Sequence, residues 1–421
     1  MDKIVITGGR RLKGEVQVSG SKNSALPIMA AALLSEEESI IENVPRLRDI
    51  QTMIKLLRAL GAKALFEDGK VLIKPGKNLR PLAPYKLVST MRASVCVLGP
   101  LLARMGHAEV SIPGGCVIGP RPIDLHLKGL EALGAKIDIQ HGYVHARAEK
   151  KMRGNEIYLG GGFGSSVLAT GNVMMAAVLT SGKTCIESAA CEPEVVDLAR
   201  FLKKMGAKIS GEGSPRIEIE GVKKLHGANF SVIPDRIEAG TYIFAAAMTA
   251  GDVVIKNLEP SHQNAVIDKL RQAGVTIQKG KNIMRVKRTG RLKPVDVTTL
   301  PYPGFPTDLQ AQMMALMSTT LGISVITEKI YPDRFMHVSE LNRMGCKIFL
   351  EGASAIVHGV KRLSGAPVMA SDLRASAALV IAGLVAEGTT EVHRVYHLDR
   401  GYENLESKFS SLGASIHRER E

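Results

Sequence analysis

The chain has no tryptophan, and aromatic residues make up 4% of its 421 positions. Proteins that grip single-stranded nucleic acid stack bases on aromatic rings set among basic side chains. The formal net charge of +14 therefore does not read as a nucleic-acid footprint, because its basic residues are scattered rather than striped. It reads as a cleft that gathers small anionic substrates by field focusing, in preference to a merely solvated basic surface. Long apolar runs are also missing. Ala25–Leu34, interrupted by Pro27, and Ala375–Ala386 both fall short of the roughly 20 residues that cross a bilayer, so no membrane partner is expected. The start, MDKIVITGGRRL, has no continuous apolar stretch, so no export signal is expected. The five cysteines, at 96, 116, 185, 191 and 346, form no CxxC pair and are odd in number. That argues against a disulfide framework and for a reducing, cytoplasmic setting. No metal-ligand spacing appears; neither a metal nor another cofactor is expected.

What is present is repetition. Ile54–Lys63 reads IKLLRALGAK, Leu127–Lys136 LKGLEALGAK, Ala199–Lys208 ARFLKKMGAK, Ile267–Thr276 IDKLRQAGVT, Val338–Lys347 VSELNRMGCK and Leu405–Ser415 LESKFSSLGAS. Apolar residues three and four apart predict amphipathic helices. Each stretch closes on a glycine suited to a left-handed cap, followed by a short strand. Those glycines, 61, 134, 206, 274, 345 and 413, are separated by 73, 72, 68, 71 and 68 residues.

A second element recurs out of phase with the first. Ser21–Leu34, Met91–Arg104, Ser166–Thr180, Arg236–Ala250, Thr307–Thr320 and Asp372–Ala386 each begin polar and continue apolar nearly all round. Such helices are buried. A β-rich segment follows each one. The spacing predicts six units of about 70 residues, each strand–helix–strand–helix–strand–strand, in a mixed α/β (α+β) fold. Helix N-termini attract anions, and Lys22, Arg92, Arg121 and Arg374 stand at or near such starts or loops. A cap explains Ser21 or Thr307, but it does not explain a cation at a helix start. The expected ligand is therefore an anion.

Ile112–Leu125, IPGGCVIGPRPIDL, cannot be the interior of a regular element, given its glycines and prolines. It is read as a loop carrying one thiol, Cys116, and one fixed cation, Arg121. A cysteine in such a loop is more readily chemical than structural.

Seven segments together carry a family resemblance. They are GSKNSALP at 20–27, PGGCVIGPRPIDLHLKGLEALGA at 113–135, PDRIEAGTY at 234–242, FPTDLQAQ at 305–312, DRFMHVSELNRMG at 333–345, DLRASAALV at 372–380 and HLDRGYENLE at 397–406. Over its whole length the sequence resembles the UDP-N-acetylglucosamine enolpyruvyl transferases, also called 1-carboxyvinyltransferases. The resemblance implies an inside-out α/β barrel in two domains of three units each. One domain would span 21–230 and carry the Cys116 loop as a lid; the other would join 1–20 to 231–421, with the active site in the cleft. It implies transfer of the enolpyruvyl group of phosphoenolpyruvate to the 3′-hydroxyl of UDP-N-acetylglucosamine, with release of phosphate. This is the first committed step of peptidoglycan precursor synthesis. Either a monomer or a weak homo-oligomer is compatible with it.

The resemblance also implies roles. Cys116 would protonate C3 of the enol and would be the residue alkylated by fosfomycin. Asp308 would take the sugar hydroxyl's proton. Lys22, Arg121 and Arg400 would hold the phosphate and carboxylate of phosphoenolpyruvate, with Arg92 and Arg374 as supporting cations. Asn23 and Asp308 would contact the sugar. Arg121, Pro122, Ile123, Asp124 and Leu125, with Ser166 and Val167, would hold the uridine and diphosphate. Ile330 would contribute a backbone contact, and Arg334 completes the substrate-binding set. Leu168 stands where the family carries a small glycine. His126 and His397 are read as hydrogen-bonded structural groups. Two rivals differ in testable ways: a 5-enolpyruvylshikimate-3-phosphate synthase, which lacks the PGGCVIGPRP loop, and a non-catalytic basic repeat protein that binds nucleic acid.

Overall fold

The computed structural model describes residues 2–114, 123–162 and 164–420. Its six amphipathic helices are Arg48–Ala59, Asp124–Ala132, Pro193–Lys204, Asn264–Gln272, Val338–Arg343 and Leu405–Ser411. All six close on the expected glycines, whose φ values of +90° to +103° lie in the left-handed region. A side chain there would be strained, which is why glycine recurs at that point.

Each helix feeds a hairpin. Among the described residues there are six four-stranded sheets of one pattern. In Leu82–Ala83, His107–Ser111, Lys136–Gln140 and Tyr143–Arg147, the first two strands pair parallel. The fourth lies antiparallel between the second and the third. The linear order strand–helix–strand–helix–strand–strand follows directly from this pairing.

Three of the sheets are closed by strands from elsewhere in the chain. Asn229–Ser231 pairs parallel with Ser39–Glu42 and supplies the first strand of the sheet at the start of the 20–233 segment. Lys13–Gln17 does the same for Asp252–Lys256. Asp2–Thr7 is the fourth strand of the last sheet, between Thr389–His393 and Ser415–Arg420. Residues 20–114 and 123–233 accordingly form one compact unit, and residues 2–19 with 234–420 the other. Backbone hydrogen bonds join the chain at both ends of these segments. Ser21 N–H donates to Ile233 C=O (2.7 Å) in one unit, and Asp235 N–H to Ser19 C=O (2.9 Å) in the other.

Each unit has its own apolar core built round three buried helices. In the first these are Lys22–Ala31, Leu98–Met105 and Val167–Ala177; in the second, Arg236–Met248, Gln310–Ser318 and Leu373–Gly383. Small residues set the helix spacing. A Cβ on Gly99 would come within 2.3 Å of the Asn172 carbonyl oxygen, and one on Gly240 within 2.4 Å of Leu309 Cδ1. Two of the expected buried helices open as tighter 3₁₀ turns, Arg92–Val97 and Thr307–Leu309. No helix among the described residues is long and apolar enough to cross a membrane. The four described cysteines, 96, 185, 191 and 346, are all free thiols.

Candidate active site

Within the unit of residues 20–233, the Lys22–Ala31 helix presents its polar start. Ser21 caps it, its hydroxyl accepting from Ser24 N–H at 3.3 Å. Lys22 is the first helical residue, where a cation opposes the helix dipole. The structure offsets it internally: Lys22 Nζ lies 3.0 Å from Asp49 Oδ2, and both side chains are under 10% exposed. Asn23 follows, half-buried. Ser24, buried, donates to Asp197, whose Oδ2 also accepts from Ile233 N–H at 3.1 Å. Burial pushes the Asp197 carboxyl up to about 6, although these two donors favour its ionised form.

The Arg92–Val97 turn packs against the same helix. Arg92 opposes protonation of His126, which burial has already pushed down to about 3. His126 is thus a neutral imidazole, with Asn172 Nδ2 at 3.0 Å from its Nδ1. Asn172 also donates to Val95 C=O (2.9 Å) and accepts from Gly99 N–H (2.7 Å). His126 is the structural group that the sequence suggested. Ser166 caps Val167–Ala177 by accepting from Ala169 N–H (3.3 Å), which places Ser166 and Val167 at a helix start. Ile123 is buried, Asp124 exposed and Leu125 half-buried at the start of Asp124–Ala132. Cys116, Arg121 and Pro122 lie outside the described residues.

Within the other unit, Asp308 sits between two guanidinium groups. Arg334 Nη1 donates to its Oδ1 at 2.8 Å, and Arg374 Nη2 to its Oδ2 at 3.2 Å. Asp308 is 28% exposed, whereas Arg334 and Arg374 are 7% and 4% exposed. Asp308 is thus the most exposed member of a cluster whose two guanidinium groups are buried. Burial alone would raise its pKa, but Arg374 and then Arg334 outweigh this and hold it well below the usual carboxylate range. Asp308 and its neighbours raise Arg334 and Arg374 above their ordinary values despite their burial. Arg374 also lies over the Tyr402 ring, 5.6 Å from its centroid. Its Nη1 is buried without a hydrogen-bond partner among the described residues. Arg400 ends a 3₁₀ turn, Val395–Arg400, that packs against Leu373–Gly383. Ile330 N–H is committed to Glu328 Oε1 at 2.8 Å.

Two expectations need correcting. Thr307 does not cap a helix. The Thr307 hydroxyl donates to Glu328 Oε2 (2.9 Å) and accepts from Arg334 Nη1 (2.9 Å), while Asp308 binds arginines. Nor do the cations at helix starts by themselves demand an external anion, because Asp49 answers Lys22 and Asp308 answers Arg374. The sequence reading missed Asp49, Glu328 and Tyr402, and it gave Thr307 only as a cap. Each acts through a partner distant in sequence, so no local spacing marks it.

A family model described as EPSP synthase (3-phosphoshikimate 1-carboxyvinyltransferase) matches residues 6–409. The chain is 56% identical to a UDP-N-acetylglucosamine 1-carboxyvinyltransferase of Methylacidiphilum infernorum over 418 residues, 99% of each chain. It is 56% identical to one from Myxococcus xanthus over the whole of both. Among solved structures it resembles the enolpyruvyl transferase NikO from Streptomyces tendae, with a TM-score of 0.89, 26% identity and 99% of each chain covered. An EPSP synthase from Acinetobacter baumannii matches with a TM-score of 0.77 at 19% identity, covering all of each chain, which is a likeness of fold alone.

Proposed function

Because the chain belongs to the EPSP synthase family of enolpyruvyl transferases, we propose that it transfers the enolpyruvyl group of phosphoenolpyruvate to UDP-N-acetylglucosamine and releases phosphate. The observation that carries this reading is its full-length identity to carboxyvinyltransferases acting on that nucleotide sugar.

Addition comes first. A proton reaches C3 of the enol, C2 becomes electrophilic, and the sugar's 3′-hydroxyl oxygen bonds to C2 while its proton leaves. Elimination then removes a C3 proton and breaks the C2–O bond to phosphate. Cys116 is the proposed donor to C3, because a thiol of ordinary pKa, about 8.5, is protonated at neutral pH. Asp308 is the proposed acceptor of the hydroxyl proton. Its two arginines keep it ionised, but they also weaken it as a base. A substrate anion engaging Arg374, whose Nη1 has an unspent donor, would draw that guanidinium from Asp308 and raise its basicity when needed. Lys22, Arg92, Arg121 and Arg400 would carry the remaining charge of phosphoenolpyruvate, and Ser166, Val167 and 121–125 the nucleotide. We infer a cytoplasmic location from the phosphorylated substrates of this reading.

Phosphate release should be measured with UDP-N-acetylglucosamine and, separately, shikimate 3-phosphate as acceptor. Turnover with the first alone is expected; turnover with the second alone would reassign the acceptor.

A further inference from the structure

We propose that Glu328 is a positioning residue for this reaction, one that sets the Arg334–Asp308 pair through Thr307; the inference rests on the function proposed above. Glu328 is completely buried. Four donors converge on its carboxylate. Oε1 accepts from the Thr299 hydroxyl (2.6 Å) and from the N–H groups of Ile330 (2.8 Å) and Tyr331 (3.1 Å). Oε2 accepts from the Thr307 hydroxyl at 2.9 Å. That last bond fixes the direction of the next. With its proton given to Glu328, the Thr307 oxygen turns a lone pair to Arg334 Nη1 at 2.9 Å. The same Nη1 reaches Asp308 Oδ1 at 2.8 Å. One buried carboxylate thus orients the guanidinium that holds the proposed base. Through Oε1 it also fixes the Ile330 backbone, the proposed substrate contact.

The internal repeat singles out this residue. In four of the six repeats the residue directly after the second strand has a positive φ: Asn43 (57°), Ser188 (55°), Asn257 (56°) and Arg394 (57°). Two of these, Asn43 and Asn257, use the side-chain amide to brace the adjoining first-strand segment, donating to Val232 C=O (2.9 Å) and Val18 C=O (2.7 Å). Glu328 follows the strand Ile323–Thr327 without that turn and carries an acceptor in place of a donor. Its Oε1 braces the adjoining first-strand segment through the Thr299 hydroxyl, as the two asparagines do elsewhere. Its Oε2 adds what neither asparagine has, a link to Thr307 and, through it, to Arg334.

The test uses the full-length enzyme with both substrates, reading kcat and KM by phosphate release and folding by thermal shift. Glu328→Gln turns an amide toward one set of donors, and Thr307→Val severs the link to Arg334 at constant volume. Both are expected to lower kcat at least tenfold, while KM for phosphoenolpyruvate changes less than threefold. Thr299→Val removes a bond to the same carboxylate but none on the way to Asp308, and should keep kcat within threefold. If Glu328→Gln does not fold, Thr307→Val decides alone. An active wild type with Thr307→Val and every folded Glu328→Gln preparation within threefold in kcat overturns this inference alone. Equal kcat losses in Thr307→Val and Thr299→Val overturn it as well. A wild type that releases no phosphate with UDP-N-acetylglucosamine overturns the underlying function and this inference with it.

Discussion

Lys22 Nζ and Asp49 Oδ2 stand 3.0 Å apart, joining the first residue of one helix to the first turn of another. Both side chains are buried. Removing one member of such a pair leaves an uncompensated charge and costs about 3–5 kcal/mol, whereas removing both costs far less. Lys22→Met and Asp49→Leu are each expected to lower the melting temperature sharply. The double variant should recover most of that loss and still be inactive, because the ammonium that would hold the substrate is gone. Additive single losses in the double-mutant cycle would show that the pair is not coupled.

Asp308 should remain ionised in the acid range because Arg374 and Arg334 hold its pKa down. The wild-type pH profile of kcat/KM should therefore show no acid limb from this group above about pH 5. Arg374→Met removes the larger stabilising charge, so protonation of Asp308 moves to higher pH and an acid limb enters from below. The absolute rate falls as well, so the informative quantity is the midpoint of the limb. Asp308→Asn should reduce kcat about a thousandfold or more if the carboxylate is the base. Undiminished turnover in that variant would exclude the role.

Asp197 offers a stability test independent of catalysis. Its folded pKa of about 6 lies above the ordinary 3.8. Between those values the folded state binds more protons than the unfolded chain, so this contribution is present at low pH and is lost as pH rises through about 6. Asp197→Asn keeps an oxygen acceptor for Ser24 and Ile233 but has no charge to desolvate. Relative to wild type it should gain stability between pH 4 and pH 7, by roughly 3 kcal/mol at most. His126, with a folded pKa pushed down to about 3, has the opposite slope and is common to both proteins. Parallel urea-midpoint curves for the two proteins across this range would contradict the assignment.

Cys116→Ala should abolish or sharply reduce turnover and leave the melting temperature within a degree or two of wild type. Fosfomycin should label Cys116, and faster when UDP-N-acetylglucosamine is bound. Peptide mass spectrometry identifies the modified thiol. Alkylation of Cys96 or Cys346 in its place is not expected, because burial raises both thiols, to about 12 and about 11, and the thiolate is the reactive form.

Periodicity alone determined the six units, their buried and amphipathic helices and the glycine at each left-handed turn, because those signals are local. A helix face repeats every three or four residues, and φ near +95° excludes most side chains at one position. Lys22 and Arg374 were legible as cations at or near helix starts, whereas Asp308 was legible only through the family resemblance of its segment. Tertiary structure alone decided which strands close the sheets, since Asn229–Ser231 must travel nearly 190 residues to reach Ser39–Glu42 and only parallel pairing reveals it. It also decided which carboxylate answers which cation. Asp49 for Lys22, Asp308 for Arg374, and Glu328 behind Thr307 are charges and hydrogen bonds between residues 21 to 66 positions apart. Electrostatic energy depends on distance through space, which sequence separation does not give.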